Sequence, residues 1–209
     1  AQGLKVPCEL TDMDQPLGRA VGNSLEVAEA IATLRGLGPP DLVALTRLAG
    51  VEMLLLGGKV RDRASALRRI DRALADGSGL AKLRALVVAQ GGDPRMVDEP
   101  RRLPRAPRVE TLRARRTAYV RRIAADEIGL ASVRLGAGRE KKGDPIDHRT
   151  GIVLLAKVGA RVERGAPFAE VHHAGRPADD AAIEQVRNAF SWTARPVALP
   201  KLVLGRIAG

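Results

Sequence analysis

The sequence predicts an α/β chain in two parts. Residues 1–97 read as the closing portion of a larger α/β domain, mostly helical here. Residues 98–108 read as a linker, and residues 109–209 as a separate α+β domain. Three observations lead there. Residues 4–11 (LKVPCELT) read as one short strand buried on both faces, and four helical patterns follow with almost no strand between them. A strand needs neighbours for its backbone donors and acceptors, and burial on both faces belongs to a parallel sheet covered by helices. Its partner strands would then be encoded upstream of Ala1. Finally, the stretch 98–108 (DEPRRLPRAPR) is dense in proline and arginine, which favours an extended connection, and beyond it the chain alternates like strands. A four-helix bundle with a loose N-terminal arm is the alternative for the first part.

The first helix spans about 24–35. Asn23 with Glu26 three residues on fits a capping box, and Leu25, Ala28, Ile31, Ala32 and Leu34 form a stripe that Gly36 ends. The second spans about 40–56. Pro39 and Pro40 stand where a helix tolerates proline, Asp41 suits the positive helix end, and Leu42, Leu45, Leu48, Ala49 and Met53 face inward. The third, about 62–75, has Asp62 as cap and Leu67, Ile70 and Leu74 at helical spacing. The fourth, about 79–90, starts at Ser78 and stops at Gly91-Gly92. In the second part, Ala118, Val120 and Arg122 alternate with Tyr119, Arg121 and Ile123. A helix follows from its cap Asp126 to Leu135. Glycine turns then join strands at Ile152–Val158, Arg161–Glu163 and Phe168–His172. A helix at about 178–190 carries Ile183, Val186 and Phe190 on one face, and the last strand covers Lys201–Ile207.

Composition narrows the function classes. Of 209 residues, 45% are apolar and 28% charged, as in soluble globular proteins. Aromatics are 2%, so the core is expected to be aliphatic. The single cysteine, Cys8, excludes an internal disulfide and reads as a small apolar filler of the first strand. With His148, His172 and His173 it makes no zinc spacing. No apolar run approaches the ~18–20 residues of a membrane span, and no targeting pattern is present, so no membrane and a cytoplasmic location are expected. The net charge of +11 and the basic stretch Arg101–Arg122 support one rival reading, a nucleic-acid-binding module. Base-reading motifs and aromatic platforms are absent, which disfavours it.

Two loops carry the candidate chemistry. Thr11–Asn23 (TDMDQPLGRAVGN) leaves a strand and enters a helix, where open α/β sheets bind ligands. Gly18 and Gly22 allow backbone angles that turn carbonyls toward one centre, and Glu29 lies one helical turn beyond Glu26. Carbonyls with one carboxylate suit a hard, weakly charged cation, whereas the plain reading is an ordinary loop with solvated acids. Gly136–Asp144 (GAGREKKGD) reads as a glycine loop whose cations close over an anion, or as a solvated connection. His172 and His173 point to opposite strand faces and cannot hold one ion together, one being surface and the other partly buried. Nothing poises His148 as a base.

Several motifs in one order resemble the pyrimidine-nucleoside phosphorylase and thymidine phosphorylase family, across essentially all 209 residues. They are TDMDQPLGRAVGNSLEVAEAI (11–31), GPPDL (38–42), VAQGGDPRMVD (88–98), LGAGREKKGDPID (135–147), VGARVERGAPFAEVH (158–172) and PVALPKLVLGRI (196–207). The resemblance implies the C-terminal part of a large α/β phosphorylase domain followed by an α+β module with a barrel-sandwich-like hairpin. It also implies reversible phosphorolysis of uridine, deoxyuridine or thymidine to free base and pentose 1-phosphate. The phosphate loop and the base-binding residues of that family match nothing here, so no catalytic residue is assigned and the chain alone is expected to be inactive. By resemblance, a potassium ion is held partly by the Leu17 and Ala20 carbonyls and Glu29, and Arg139, Lys141 and Lys142 belong to a loop that holds the closed form. Phosphate is the co-substrate, a missing N-terminal half is the partner, and the complete enzyme is a homodimer. The hairpin near Gly159–Gly165 is similar in shape to biotinyl and lipoyl carriers but lacks their modifiable lysine.

Overall fold

The computed structural model describes Gly3 and residues 5–139 and 141–207. By contacts the chain divides into two units. One comprises residues 1–12, 30–102 and 201–209, the other residues 13–29 and 103–200. The division is therefore interleaved, whereas the composition draws a single boundary at the 98–108 linker. All strand pairings among the described residues are antiparallel.

In the first unit, β1 (Cys8–Thr11) pairs with β9 (Val203–Ile207) in a two-stranded ribbon. This corrects the expectation of a strand buried in a parallel sheet. Leu10 is 50% exposed and Cys8 is exposed, so Cys8 is no core filler. The reason lies in the alternation itself: Glu9 takes the inward side and meets Arg206 across the ribbon at 3.5 Å. Arg206 also reaches Glu52 at 2.9 Å, and Arg63 pairs with the same Glu52.

The helices fall close to their sequence positions: α1 (Asn23–Leu34), α2 (Pro40–Leu56), α3 (Arg63–Ala75), α4 (Ser78–Ala89) and the short α5 (Arg95–Asp98). Asp62 caps α3 by accepting from Ser65 N–H at 2.7 Å. Gly36, at φ +78°, turns the chain out of α1. The capping box of α1 is shifted by one residue. Glu26 accepts from Gly22 N–H at 3.0 Å, while the Asn23 side chain donates to the Ala137 carbonyl. The inward face of α2 also differs from expectation. Val51 is buried, whereas Met53 is 67% exposed and Ala49 is exposed. Apart from Asp41, Thr46, Arg47 and Glu52 this helix is apolar or glycine on every side, so no stripe marks its buried face. Buried apolar residues in this unit are Ile31, Val51, Ala66 and Val97.

The second unit holds the dense core. One antiparallel sheet has the order β2 (Ala20–Val21), β5 (Gly151–Leu154), β7 (Pro167–His173), β3 (Arg108–Arg113). A second has the order β6 (Arg161–Val162), β4 (Ala118–Ile123), β8 (Phe190–Thr193). They share a core with α6 (Ala125–Arg134) and α7 (Asp179–Asn188) that includes Leu112, Val120, Ile128, Ile152, Val171 and Val186. Three corrections belong here. Asp126 lies in the first turn of α6, whose N-cap is Ala124 without a side-chain cap. Phe190 starts β8 rather than ending α7, because the helix stops at Asn188. A register shift between Val120 and Arg122 puts Ile123 in the core with Ala118 and Val120, against simple alternation. The core is also less purely aliphatic than expected: Phe168 meets Phe190 edge-on at 4.8 Å and Trp192 at 5.1 Å.

Candidate functional site

Residues 13–29 and the loop 136–150 meet within the second unit. The first loop becomes β2, and Ala20 and Val21 pair with Val153 and Ile152 of β5. Gly22 is required at the junction. Its φ is +130°, and a Cβ there would lie 2.6 Å from the Thr150 carbonyl oxygen. Helix α1 then starts against the second loop, with Ser24 N–H donating to the His148 carbonyl at 3.1 Å and Asn23 Nδ2 to the Ala137 carbonyl at 2.8 Å.

Of the three residues that the resemblance singles out, Ala20 and Glu29 are in contact, and Leu17 lies in the same loop between Pro16 and Gly18. The Glu29 carboxylate accepts from Arg19 N–H at 3.0 and 3.2 Å and from Ala20 N–H at 3.2 Å. Gly18, at φ +66°, leaves the space this carboxylate occupies; a Cβ there would run into Glu29 Oε2. A further residue was not anticipated. Lys157 Nζ donates to the Pro16 carbonyl and, at 2.7 Å, to the Gly18 carbonyl. Beside it, Val158 N–H donates to Gln15 Oε1 at 3.2 Å. The available signal was one lysine closing an apolar run (IVLLAK). The loop thus gathers backbone oxygens, one carboxylate and one ammonium. Among the described residues, no three His, Cys, Asp or Glu side chains group to hold a metal. Oxygen donors of this kind suit hard cations, not the soft ones that thiolates select.

The second loop is pinned at its base and open at its tip. Asp147 N–H donates to the Gly136 carbonyl at 2.8 Å, and the Asp147 carboxylate takes two bonds from the Arg149 guanidinium, both 2.8 Å. That guanidinium, against mild burial, holds the Asp147 carboxyl below the ordinary aspartate range. At the tip, Lys141 N–H donates to Asp144 Oδ2 at 2.7 Å. The Arg139, Lys141 and Lys142 side chains are exposed and have no partner among the described residues. His148 is exposed, and His172 and His173 are both largely covered, so neither is a surface histidine. Burial lowers the His172 pKa, opposed by Glu170 at 3.7 Å.

Residues 119–193 match the family model of the pyrimidine nucleoside phosphorylase C-terminal domain. The chain is 38% identical over 206 residues to a pyrimidine-nucleoside phosphorylase of Geobacillus stearothermophilus, a match covering 99% of this chain and 47% of that protein. It is 41% identical over 171 residues to a pyrimidine-nucleoside phosphorylase of Staphylococcus aureus (strain USA300), covering 82% of this chain and 40% of that one. The chain therefore spans less than half the length of these relatives. No helix among the described residues is long and apolar enough to cross a membrane.

Proposed function

We infer that this chain, which belongs to the pyrimidine-nucleoside phosphorylase family, supplies the C-terminal part of an enzyme for reversible phosphorolysis of pyrimidine nucleosides. In that reaction a phosphate oxygen bonds to the anomeric carbon as the bond from that carbon to the base nitrogen breaks. The base leaves with the electron pair and takes a proton, and a pentose 1-phosphate forms with inversion. Catalysis of this kind rests on positioning and on hydrogen bonds to developing charge. The observation that carries the reading is the ordered match along 99% of the chain.

The geometry supports roles that do not touch the base. Leu17, Ala20 and Glu29 would hold a potassium ion, which when bound adds fixed positive charge near a phosphate. Lys157 fixes the loop that presents them. Arg139, Lys141 and Lys142 stand ready to close on the phosphate-bearing side. The phosphate loop and base-reading residues belong to the remaining part of the enzyme, so this chain alone is inactive. The thin core of the first unit agrees: Met53, Leu56, Leu86 and Val88 are all more than half exposed, an apolar surface that further sequence would cover. The complete enzyme is read as a homodimer acting in the cytoplasm.

The test joins the N-terminal half of the Geobacillus stearothermophilus relative to this chain and measures uracil released from uridine. Phosphate-dependent release from the joined protein, and none from this chain alone, is expected. A folded joined protein without release overturns the reading.

A further inference from the structure

The chain has four aromatic residues, and three of them gather at one place. Phe168, Phe190 and Trp192 form a cluster in the second unit, with Phe190 and Trp192 near parallel at 22° and 6.1 Å between ring centres. Phe168 and Phe190 are buried, while Trp192 is half-buried. Beside this cluster opens a cleft of about 370 Å³, a size common to small-molecule sites. Its walls carry four arginines, Arg113, Arg115, Arg116 and Arg187, and no acidic residue.

Two of the arginines have structural work. Arg113 donates to the Gly165 carbonyl at 3.0 Å, and Arg187 Nε pairs with Glu184 at 3.1 Å, leaving its terminal nitrogens. Arg115 and Arg116 sit exposed in the turn between β3 and β4 and have no partner among the described residues. Apart from Glu184 on Arg187, the guanidinium groups that line the cleft have no carboxylate partner among the described residues, and an oxyanion can meet such groups through paired N–H donors. An aromatic wall next to such a group adds a stacking surface for a flat ring.

We propose that this cleft binds a nucleoside phosphate, with phosphate oxygens across Arg115, Arg116 and Arg187 and the base against Trp192. Of the basic run Arg101–Arg122, Arg113, Arg115 and Arg116 line this cleft and then serve a small molecule. The inference does not rest on the phosphorolysis reading, since every residue in it lies between 113 and 192.

The test uses the full 209-residue chain, whose single tryptophan, Trp192, reports directly on the site. UTP is expected to change Trp192 fluorescence saturably. Uridine should leave it unchanged, and tripolyphosphate should bind at least about tenfold more weakly than UTP. The paired substitution Arg115→Glu with Arg116→Glu should weaken UTP by about tenfold or more with the thermal midpoint unchanged, because both residues are exposed turn positions. Three results would overturn the proposal. They are no saturable change with UTP to about 5 mM, tripolyphosphate binding as tightly as UTP, and a variant that binds UTP like the parent. Tighter binding of a single-stranded oligonucleotide than of UTP would also overturn it, by assigning the surface to nucleic acid.

Discussion

Asp179 is fully buried at the start of α7, yet it is ionised. Burial alone raises its pKa. The Arg176 guanidinium at 2.8 Å, with Arg176 and Gly175 N–H both at 2.9 Å, outweighs that and holds it below the ordinary 3.8. A depressed carboxyl stabilises above its unfolded value and loses that stability as pH falls through its native value. Asp179→Asn should therefore cost about 3 kcal/mol in urea unfolding at neutral pH and flatten the acid limb below about pH 4. His172 acts in the same direction at higher pH. Its native pKa lies below the 6.5 of the unfolded chain, so its contribution is complete above 6.5 and lost as pH falls below it. His172→Gln should remove that step from a pH series of thermal midpoints. The Arg121 bulge is tested by a pair of substitutions. Ile123→Ala should cost about 2–5 kcal/mol and Arg122→Ala less than about 0.5, the reverse of what unbroken alternation gives for a face shared by Val120 and Arg122. At this scale the sequence marked Gly18, Gly22 and Asp62 by residue type and spacing, and Glu29 through the family resemblance. It did not mark Lys157 or the bulge, because both depend on partners more than a hundred residues away or on a neighbouring strand.

Among elements, the helices and several strands, β4, β6, β7 and β9, were legible, whereas the pairing of the strands was not. Helices α2, α3 and α4 carry local punctuation at their ends, Pro39-Pro40, Asp62 and Gly91-Gly92, and local bonds define them. The ribbon of β1 with β9 joins residues nearly two hundred positions apart, and β2 is two residues long, so neither leaves a local trace. The same distance hides how the site is tied together, since Lys157 crosses from beyond β5 to the loop before β2. Lys157→Met should free the Pro16 and Gly18 carbonyls, cost about 1–3 kcal/mol, and speed amide exchange across residues 13–22 while leaving α7 unchanged.

As a whole, the chain holds two units of unequal completeness. The second has two sheets and two helices around a continuous core that includes Leu112, Ile128, Leu154 and Val186. The first has a two-stranded ribbon and helices with few buried side chains, and ribbons of two strands are marginal alone. The relatives are about twice as long, and the exposed apolar residues of α2 and α4 are the surface that the proposed N-terminal part would cover. Hydrogen exchange read by mass spectrometry, on this chain alone and on the joined protein, measures that directly. The account predicts fast exchange in α2 and α4 alone and strong protection once joined, with β4, β7 and α7 equally protected in both. Protection of α2 and α4 in the isolated chain equal to that of β7 would contradict it.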